Sequence, residues 1–386
     1  MASSRPEALP RVVGLELGVA MVVTDLHGDW DAYRRYRDRF LALHARGQAD
    51  YLIFTGDLIH SDGPPRADRS LDILLDLLAL RGGLDGAPAE RRSAPTERQG
   101  APTEWRSAPT ERRSAPMEWQ SAPAERQSAP AERRGAPAET RCVYLLGNHE
   151  LPHLYGVVLS KGEQLYTPRF EAALGPHRGT ILSLFASLPF YVRTRAGVSV
   201  CHAGAAAELS VPGAAARLFG YSHQRVLGEV AALMPVEDRA AMRARFARLS
   251  GARYDDLARQ YLAVTGADDP RYDDLLVGFV ATSHPDLELL WAALFTRNEL
   301  QYGERDYAIF LDALLQELSV GYHPQELLVT GHLACRGGYT LVAGRQLRLA
   351  SGHHAHPRRA ARYLLFDVAR PVRQADQLLA GLGSVF

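Results

Sequence analysis

Short apolar runs, rich in β-branched residues, punctuate this chain, and five of them stop abruptly at polar side chains. Val19 to Thr24 runs into Asp25-Leu26-His27-Gly28, and Tyr51 to Thr55 into Gly56-Asp57. Cys142 to Leu146 runs into Gly147-Asn148-His149-Glu150, and Leu327 to Thr330 into Gly331-His332. Tyr191 to Thr194, a turn at Arg195-Ala196-Gly197 and then Val198 to Cys201 read as a hairpin ending at His202. Runs of this length, bounded by Gly and Asp, predict strands. Three more are predicted at Tyr339–Val342, Gln346–Leu349 and Tyr363–Asp367.

Helical spacing fills the gaps. Tyr33, Tyr36, Phe40 and Leu43 share one helical face between the first two strands, and Leu71 to Leu80 is apolar with Asp72 and Asp76 one turn apart. From about residue 205 to residue 323 the chain is rich in Ala, Leu, Arg and Glu. Helical patterns recur there at 226–234, 239–249, 254–264, 287–294 and 307–318. Strands alternating with helices predict an α/β fold, and the long helical stretch predicts an insertion, or cap, over its sheet.

One segment fits no packed element. Between Gly86 and Arg141 a seven-residue unit, [Ser/Gly]-Ala-Pro-x-Glu-x-x, repeats eight times without a break. A coiled coil would need two apolar positions per unit, and each unit carries a proline instead. Proline in every second turn costs a helix about 3 kcal/mol each time. A flexible mixed-charge linker is expected, with a partner-docking arm as the functional alternative. Without the repeat, 330 residues remain, the size of one α/β domain with an insertion. The expected division is core over 1–85, linker over 86–141, core again over 142–204, helical insertion over 205–325 and completion of the core over 326–386.

Composition narrows the class. The 386 residues include 44 basic and 44 acidic side chains, so no net charge draws the chain to nucleic acid or to an anionic membrane, and neither partner is expected. No apolar run approaches the roughly 18 residues of a membrane helix. Glu16 interrupts the stretch from Val12 to Val23, so no signal peptide is expected. Three scattered cysteines make no disulfide framework and suit a reducing cytoplasm. Lys161 is the single lysine and lacks the Gly-rich context of a phosphate-cradling loop, which argues against an ATPase of that type.

The polar strand ends carry the candidate chemistry. Asp25, His27, Asp57, Asn148, His149, His202 and His332 all follow strands, and α/β folds collect ligands outside the carboxyl ends of their strands. Carboxylates, an amide oxygen and imidazoles together suit Mn, Fe or Zn better than Ca or Mg. The spacing agrees. Asp25 and Asp57 are 32 residues apart, and Asp57 and Asn148 are 91 apart, or 35 with the repeat set aside. Both fit a strand–helix–strand crossover.

On these residues the chain resembles the calcineurin-like metallophosphoesterases, and within them the bacterial branch of the phosphoprotein phosphatases. The matching segments are Asp25-Leu26-His27-Gly28, Gly56-Asp57, Gly147-Asn148-His149-Glu150, Cys201-His202-Ala203-Gly204 and Thr330-Gly331-His332. The resemblance implies a four-layer α/β/β/α sandwich with two divalent metal ions at one edge. It implies that Asp25 and His27 hold the first ion, that Asp57 bridges the two, and that Asn148, His202 and His332 hold the second. His149 would be the general acid. Members with a Gly-His-x-His motif carry a second histidine where this chain has Ala334, so the resemblance is to the branch without it. The implied reaction is hydrolysis of a phosphomonoester, on a protein or a small molecule, by a metal-bridging hydroxide. A cysteine phosphatase is excluded separately, since no arginine stands six places after any cysteine.

The chain also departs from that family. Its usual Gly-Asp-x-x-Asp-Arg-Gly reads here Gly56-Asp57-Leu58-Ile59-His60-Ser61-Asp62-Gly63. His60 and Ser61 replace an aspartate that orients His149 and an arginine that binds phosphate. Asp62 is the expected replacement for the aspartate. Arg297 is the first candidate for the arginine and Arg336 the second. These departures keep a competing reading open, a non-catalytic metal-binding scaffold or phosphopeptide reader. His353, His354 and His356 read as an ordinary loop and His153 as a surface histidine. Cys201 reads as a small buried strand residue, and His44, His177, His223, His284 and His323 as structural.

Overall fold

The computed structural model describes residues 11–85, 141–161, 164–295 and 299–386. Residues 86–140 of the seven-residue repeat and Arg297 lie outside them. Eleven strands build two main sheets: β1 (Val12–Leu15), β2 (Val19–Val23), β3 (Tyr51–Phe54), β4 (Cys142–Tyr144), β5 (Tyr191–Thr194), β6 (Val198–Cys201), β7 (Leu327–Thr330), β8 (Tyr339–Val342), β9 (Gln346–Leu349), β10 (Tyr363–Asp367) and β11 (Leu382–Gly383). One sheet runs β1-β5-β6-β7-β9-β8 and the other β11-β10-β2-β3-β4. The central pairs are parallel: β2 with β3, β3 with β4, β6 with β7 and β7 with β9.

Alternation along the strands explains how the layers form. Ala20, Val22, Ile53, Val143, Val198, Val200, Leu327, Val329, Leu347, Leu349, Leu364 and Phe366 make one apolar cluster between the two sheets. Their neighbours Met21, Val23, Leu52, Phe54, Cys142 and Tyr144 point the other way, into a second cluster shared with the helices. The central parallel strands of both sheets are buried on both faces, as such strands require. The fold is an α/β/β/α sandwich.

On the β2–β3–β4 side the outer layer includes α1 (Trp30–Ala45), with Tyr33, Tyr36, Phe40 and Leu43 buried as their spacing predicts, and α2 (Ser70–Asp85). After β4 come α3 (Leu151–Tyr155), α4 (Thr167–Leu174) and α5 (Arg178–Ser187). Between β6 and β7 the chain is helical, with main segments His223–Ala232, Arg239–Ser250, Tyr254–Leu262, Asp274–Ala281, Pro285–Phe295 and Glu304–Ser319. Among the described residues, no helix is long and apolar enough to cross a membrane.

Register places the strand ends level. Val23 pairs with Phe54, and Phe54 with Tyr144. In the other sheet Val200 pairs with Val329, and Gly331 N–H donates to His202 O at 2.9 Å. The turns after β2, β3, β4, β6 and β7 therefore meet at one edge of the sandwich.

Candidate metal centre

The backbone at this edge is bent into conformations that L-residues seldom adopt. Six described residues other than glycine have positive φ, and four are His27 (46°), Asp57 (51°), His60 (69°) and His332 (69°). Left-handed backbone costs about 1–3 kcal/mol per residue and collects at functional sites. The turns are tied to one another to hold it. Leu26 and His27 N–H both donate to Asp57 O, at 3.0 and 2.9 Å, and Gly28 N–H donates to Leu58 O at 2.9 Å. Gly147 is required for a different reason, because a Cβ there would collide with the Asp57 carboxylate.

One cluster surrounds His202, which is 1% exposed. Its Nδ1 lies 3.0 Å from Thr55 O, which assigns the ring proton to Nδ1 and leaves a lone pair on Nε2. Three atoms face that lone pair: Asn148 Oδ1 at 2.9 Å, His332 Nδ1 at 3.0 Å and Asp57 Oδ2 at 3.5 Å. With the His332 proton on Nε2, lone pairs meet here, and a cation among them would relieve their repulsion. Ligand atoms each about 2.0–2.2 Å from a shared ion stand at this separation.

A second cluster adjoins it. Asp57 Oδ2 is 4.0 Å from His27 Nε2 and 3.9 Å from His149 Nε2. Asp25 Oδ2 accepts the His332 backbone N–H at 2.8 Å, which links the two clusters. Asp25 Oδ1 and His27 Nε2 are buried without a hydrogen-bond partner. Three overlapping sets bring one ligand atom per residue within 4.8 Å of the others: Asp57, His202 and His332; His27, Asp57 and His149; His27, His353 and His354. The donor types and the unpartnered atoms fit divalent cations.

Electrostatics point the same way. Burial, then the charges of Glu150 and Asp25, push the Asp57 carboxyl well above the usual range. Burial also pushes His27, His149 and His202 down, toward neutral imidazoles that can act as ligands, and pushes His332 to about 3. Asp25 runs against its burial and is held low, chiefly by His354 beside it. Crowded carboxylates among neutral imidazoles leave the site short of positive charge.

Glu150 has no role in the sequence reading, and here it is the strut of the site. Fully buried, it accepts from Asp57 N–H (3.0 Å) and Gly147 N–H (3.1 Å) through Oε2, and from Leu58 N–H (3.1 Å) and Tyr144 O–H (2.7 Å) through Oε1. Glu150→Ala should strand these four donors and cost at least about 3 kcal/mol in chemical denaturation. A loss under about 1 kcal/mol would remove this role.

His149 is held from behind by a chain of side chains. Its Nδ1 is 3.1 Å from His60 Nδ1, and His60 Nε2 is 2.9 Å from His153 Nε2. His153 Nδ1 is 2.7 Å from Glu171 Oε1, and Arg178 Nε donates to Glu171 Oε2 at 2.9 Å. Burial alone would raise Glu171, but His153 and Arg178 outweigh it and hold the carboxyl low. The Tyr166 ring stacks on His60, with centroids 5.2 Å apart and planes inclined by 10°.

Three sequence expectations change accordingly. Asp62 does not orient His149. Its carboxylate takes the Tyr166 hydroxyl and Lys161 Nζ (3.0 Å), while His60 occupies the ring nitrogen that an orienting carboxylate would hold. The left-handed backbone at His60, with its N–H donated to Ser70 Oγ at 2.9 Å, turns this side chain inward and leaves Asp62 further out. His153 is not a surface residue, being 3% exposed on α3. His353 and His354 are not remote from the site, since their rings lie 4.7 and 4.9 Å from that of His27. Arg336 is exposed in a two-residue strand that pairs with Ala355–His356. Glu171 had no sequence signal, because its role depends on a partner from another helix.

No family model matches the sequence, and no curated protein is similar to it. Among solved structures, a protein serine/threonine phosphatase from Saccharomyces cerevisiae, with similarity to human phosphatase PP5, aligns over 92% of this chain and 76% of its own. The identity is 13% and the TM-score 0.41. At that distance the likeness carries no conclusion about activity, and the site rests on the side chains themselves.

Proposed function

We propose that this protein is a metal-dependent phosphoesterase of the phosphoprotein phosphatase type, hydrolysing phosphomonoesters on a protein or a small molecule. The observation that carries this reading is the convergence of Asn148, His332 and Asp57 on the lone pair of His202. Asp25 and His27 would hold one ion, Asn148, His202 and His332 a second, and Asp57 would be shared. Mn, Fe or Zn suit the donors. Bound there, such ions would neutralise phosphoryl oxygens and acidify a water.

The side chains behind His149 can pass a proton to and from it. With Glu171 ionised, each ring donates toward it: His153 Nδ1–H to Glu171, His60 Nε2–H to His153, and His149 Nδ1–H to His60. His149 then keeps a bare Nε2 facing the site. Moving one proton along each of the two bonds between the rings leaves His153 an imidazolium beside ionised Glu171, and the His149 ring, short of a proton, takes one at Nε2 from the site. The His149 ring is then neutral with N–H at Nε2. From that form His149 can hand a proton to a leaving oxygen, with the positive charge held at His153 against Glu171. Arg297 remains the proposed phosphate-binding cation on the ground of its sequence position. The three described cysteines are buried, which suits a cytoplasmic location.

The purified chain, supplied in turn with Mn²⁺, Fe²⁺, Zn²⁺ and Co²⁺, should hydrolyse p-nitrophenyl phosphate. Ion uptake with no turnover across a panel of phosphomonoesters would favour a non-catalytic scaffold instead.

A further inference from the structure

Among the described residues, nine buried side-chain nitrogen or oxygen atoms make no hydrogen bond, and three of them belong to neighbouring side chains: Asp25 Oδ1, His27 Nε2 and His354 Nδ1. Asp25 and His27 are 1% and 6% exposed. An unsatisfied buried polar group costs about 1–3 kcal/mol, so a cluster of three asks for a shared partner. His354 Nδ1 lies 3.2 Å from Asp25 Oδ2, and the His354 ring centroid is 4.9 Å from that of His27.

The turn that carries His354 is anchored to the strand end that carries Asp25. Thr24 N–H donates to Ser351 Oγ at 2.9 Å and Ser351 N–H to Thr24 Oγ1 at 3.0 Å. Tyr36 O–H donates to Ser351 O at 2.7 Å, and Gly352 packs so close to Asp25 O that a Cβ would collide with it. Beyond the turn, Cys335 N–H donates to His354 O at 2.9 Å, where the strand Cys335–Arg336 pairs with Ala355–His356. His354 is thereby fixed against both the turn of Asp25 and the turn of His332, and a ligand held this way loses little entropy on binding.

We infer that His354 is a further ligand of the first cation, binding it through Nδ1 beside Asp25, His27 and Asp57. This rests on the metal centre proposed above. His353 belongs to the same set with His27, but its Nε2 also lies 3.8 Å from Asp62 Oδ2 and its side chain is 37% exposed. A second imidazole makes the first position richer in nitrogen. It should then take Zn²⁺, Fe²⁺ or Co²⁺ in preference to Mg²⁺, which favours oxygen donors.

The test is metal binding by the full chain, independent of turnover. Apo-protein titrated with Co²⁺ should take up two ions, followed by calorimetry and by visible absorption. His354→Ala should weaken one of the two sites at least about 10-fold and alter its absorption, with the other unchanged. His354→Gln, which preserves more of the packing, should also weaken that site, while His323→Ala, at a histidine paired with Glu16, should bind as wild type. Circular dichroism of each apo-variant reports whether it folds. Wild-type affinity at both sites in His354→Ala or His354→Gln would overturn the inference and leave the proposed function standing. Uptake of fewer than two ions by the wild type would overturn both.

Discussion

Asp57→Asn should lower phosphoesterase turnover by at least about 10³-fold and leave the fold intact. The substitution is close to isosteric. Its carboxamide oxygen can still accept the His149 backbone N–H, as Asp57 Oδ1 does at 3.0 Å. The difference falls at the second position, where Oδ2 faces His202, His149 and His27 at 3.5, 3.9 and 4.0 Å. An amide nitrogen there brings two hydrogens and no charge to the place where both proposed ions need a shared anion. Kinetics at saturating Mn²⁺, with circular dichroism as the control for folding, decides it. A variant that keeps more than a tenth of wild-type turnover would show that Asp57 is not the shared carboxylate.

Glu171→Gln should separate positioning from chemistry. Its carboxamide oxygen can still accept from His153 Nδ1–H, so the chain through His60 to His149 keeps its shape. What is lost is the negative charge at the end, which holds a proton on His153. Turnover of phenyl phosphate, with a poor leaving group, should fall about 10²-fold, and turnover of 2,4-dinitrophenyl phosphate should change little. A purely structural role would depress both substrates alike, and that outcome would sink the relay.

These roles show what was legible in the chain. The meeting of Asp25, His27, Asp57, Asn148, His202 and His332 at one edge is legible because each follows a strand within a few residues, so a local pattern marks them. Strand limits at Tyr339–Val342, Gln346–Leu349 and Tyr363–Asp367 coincide with the structure for the same reason. Other features depend on distant partners. His60 and His153 are 93 residues apart and touch only because α3 packs behind the β3 turn. Helices α4 and α5, and Glu171 with them, leave little signal in the sequence because Pro168, Gly175, Pro176 and Gly179 break up their spacing. The place of Asp62 is not legible because sequence distance along a loop does not reveal which residue adopts a left-handed turn. The backbone at His60, not the acidity of Asp62, decides which side chain faces inward.

One further consequence follows from where the repeat joins the fold. The chain departs after Asp85, at the end of α2, and resumes at Arg141, just before β4 begins. Asn148 and His149 come after β4 has ended, with the whole strand between them and that junction. Copy number in such a tandem array can drift, as slipped replication makes it do, while the far rim of the sheet keeps its shape. A change in the length of that stretch would therefore reach the turns of the candidate metal centre only through the strand.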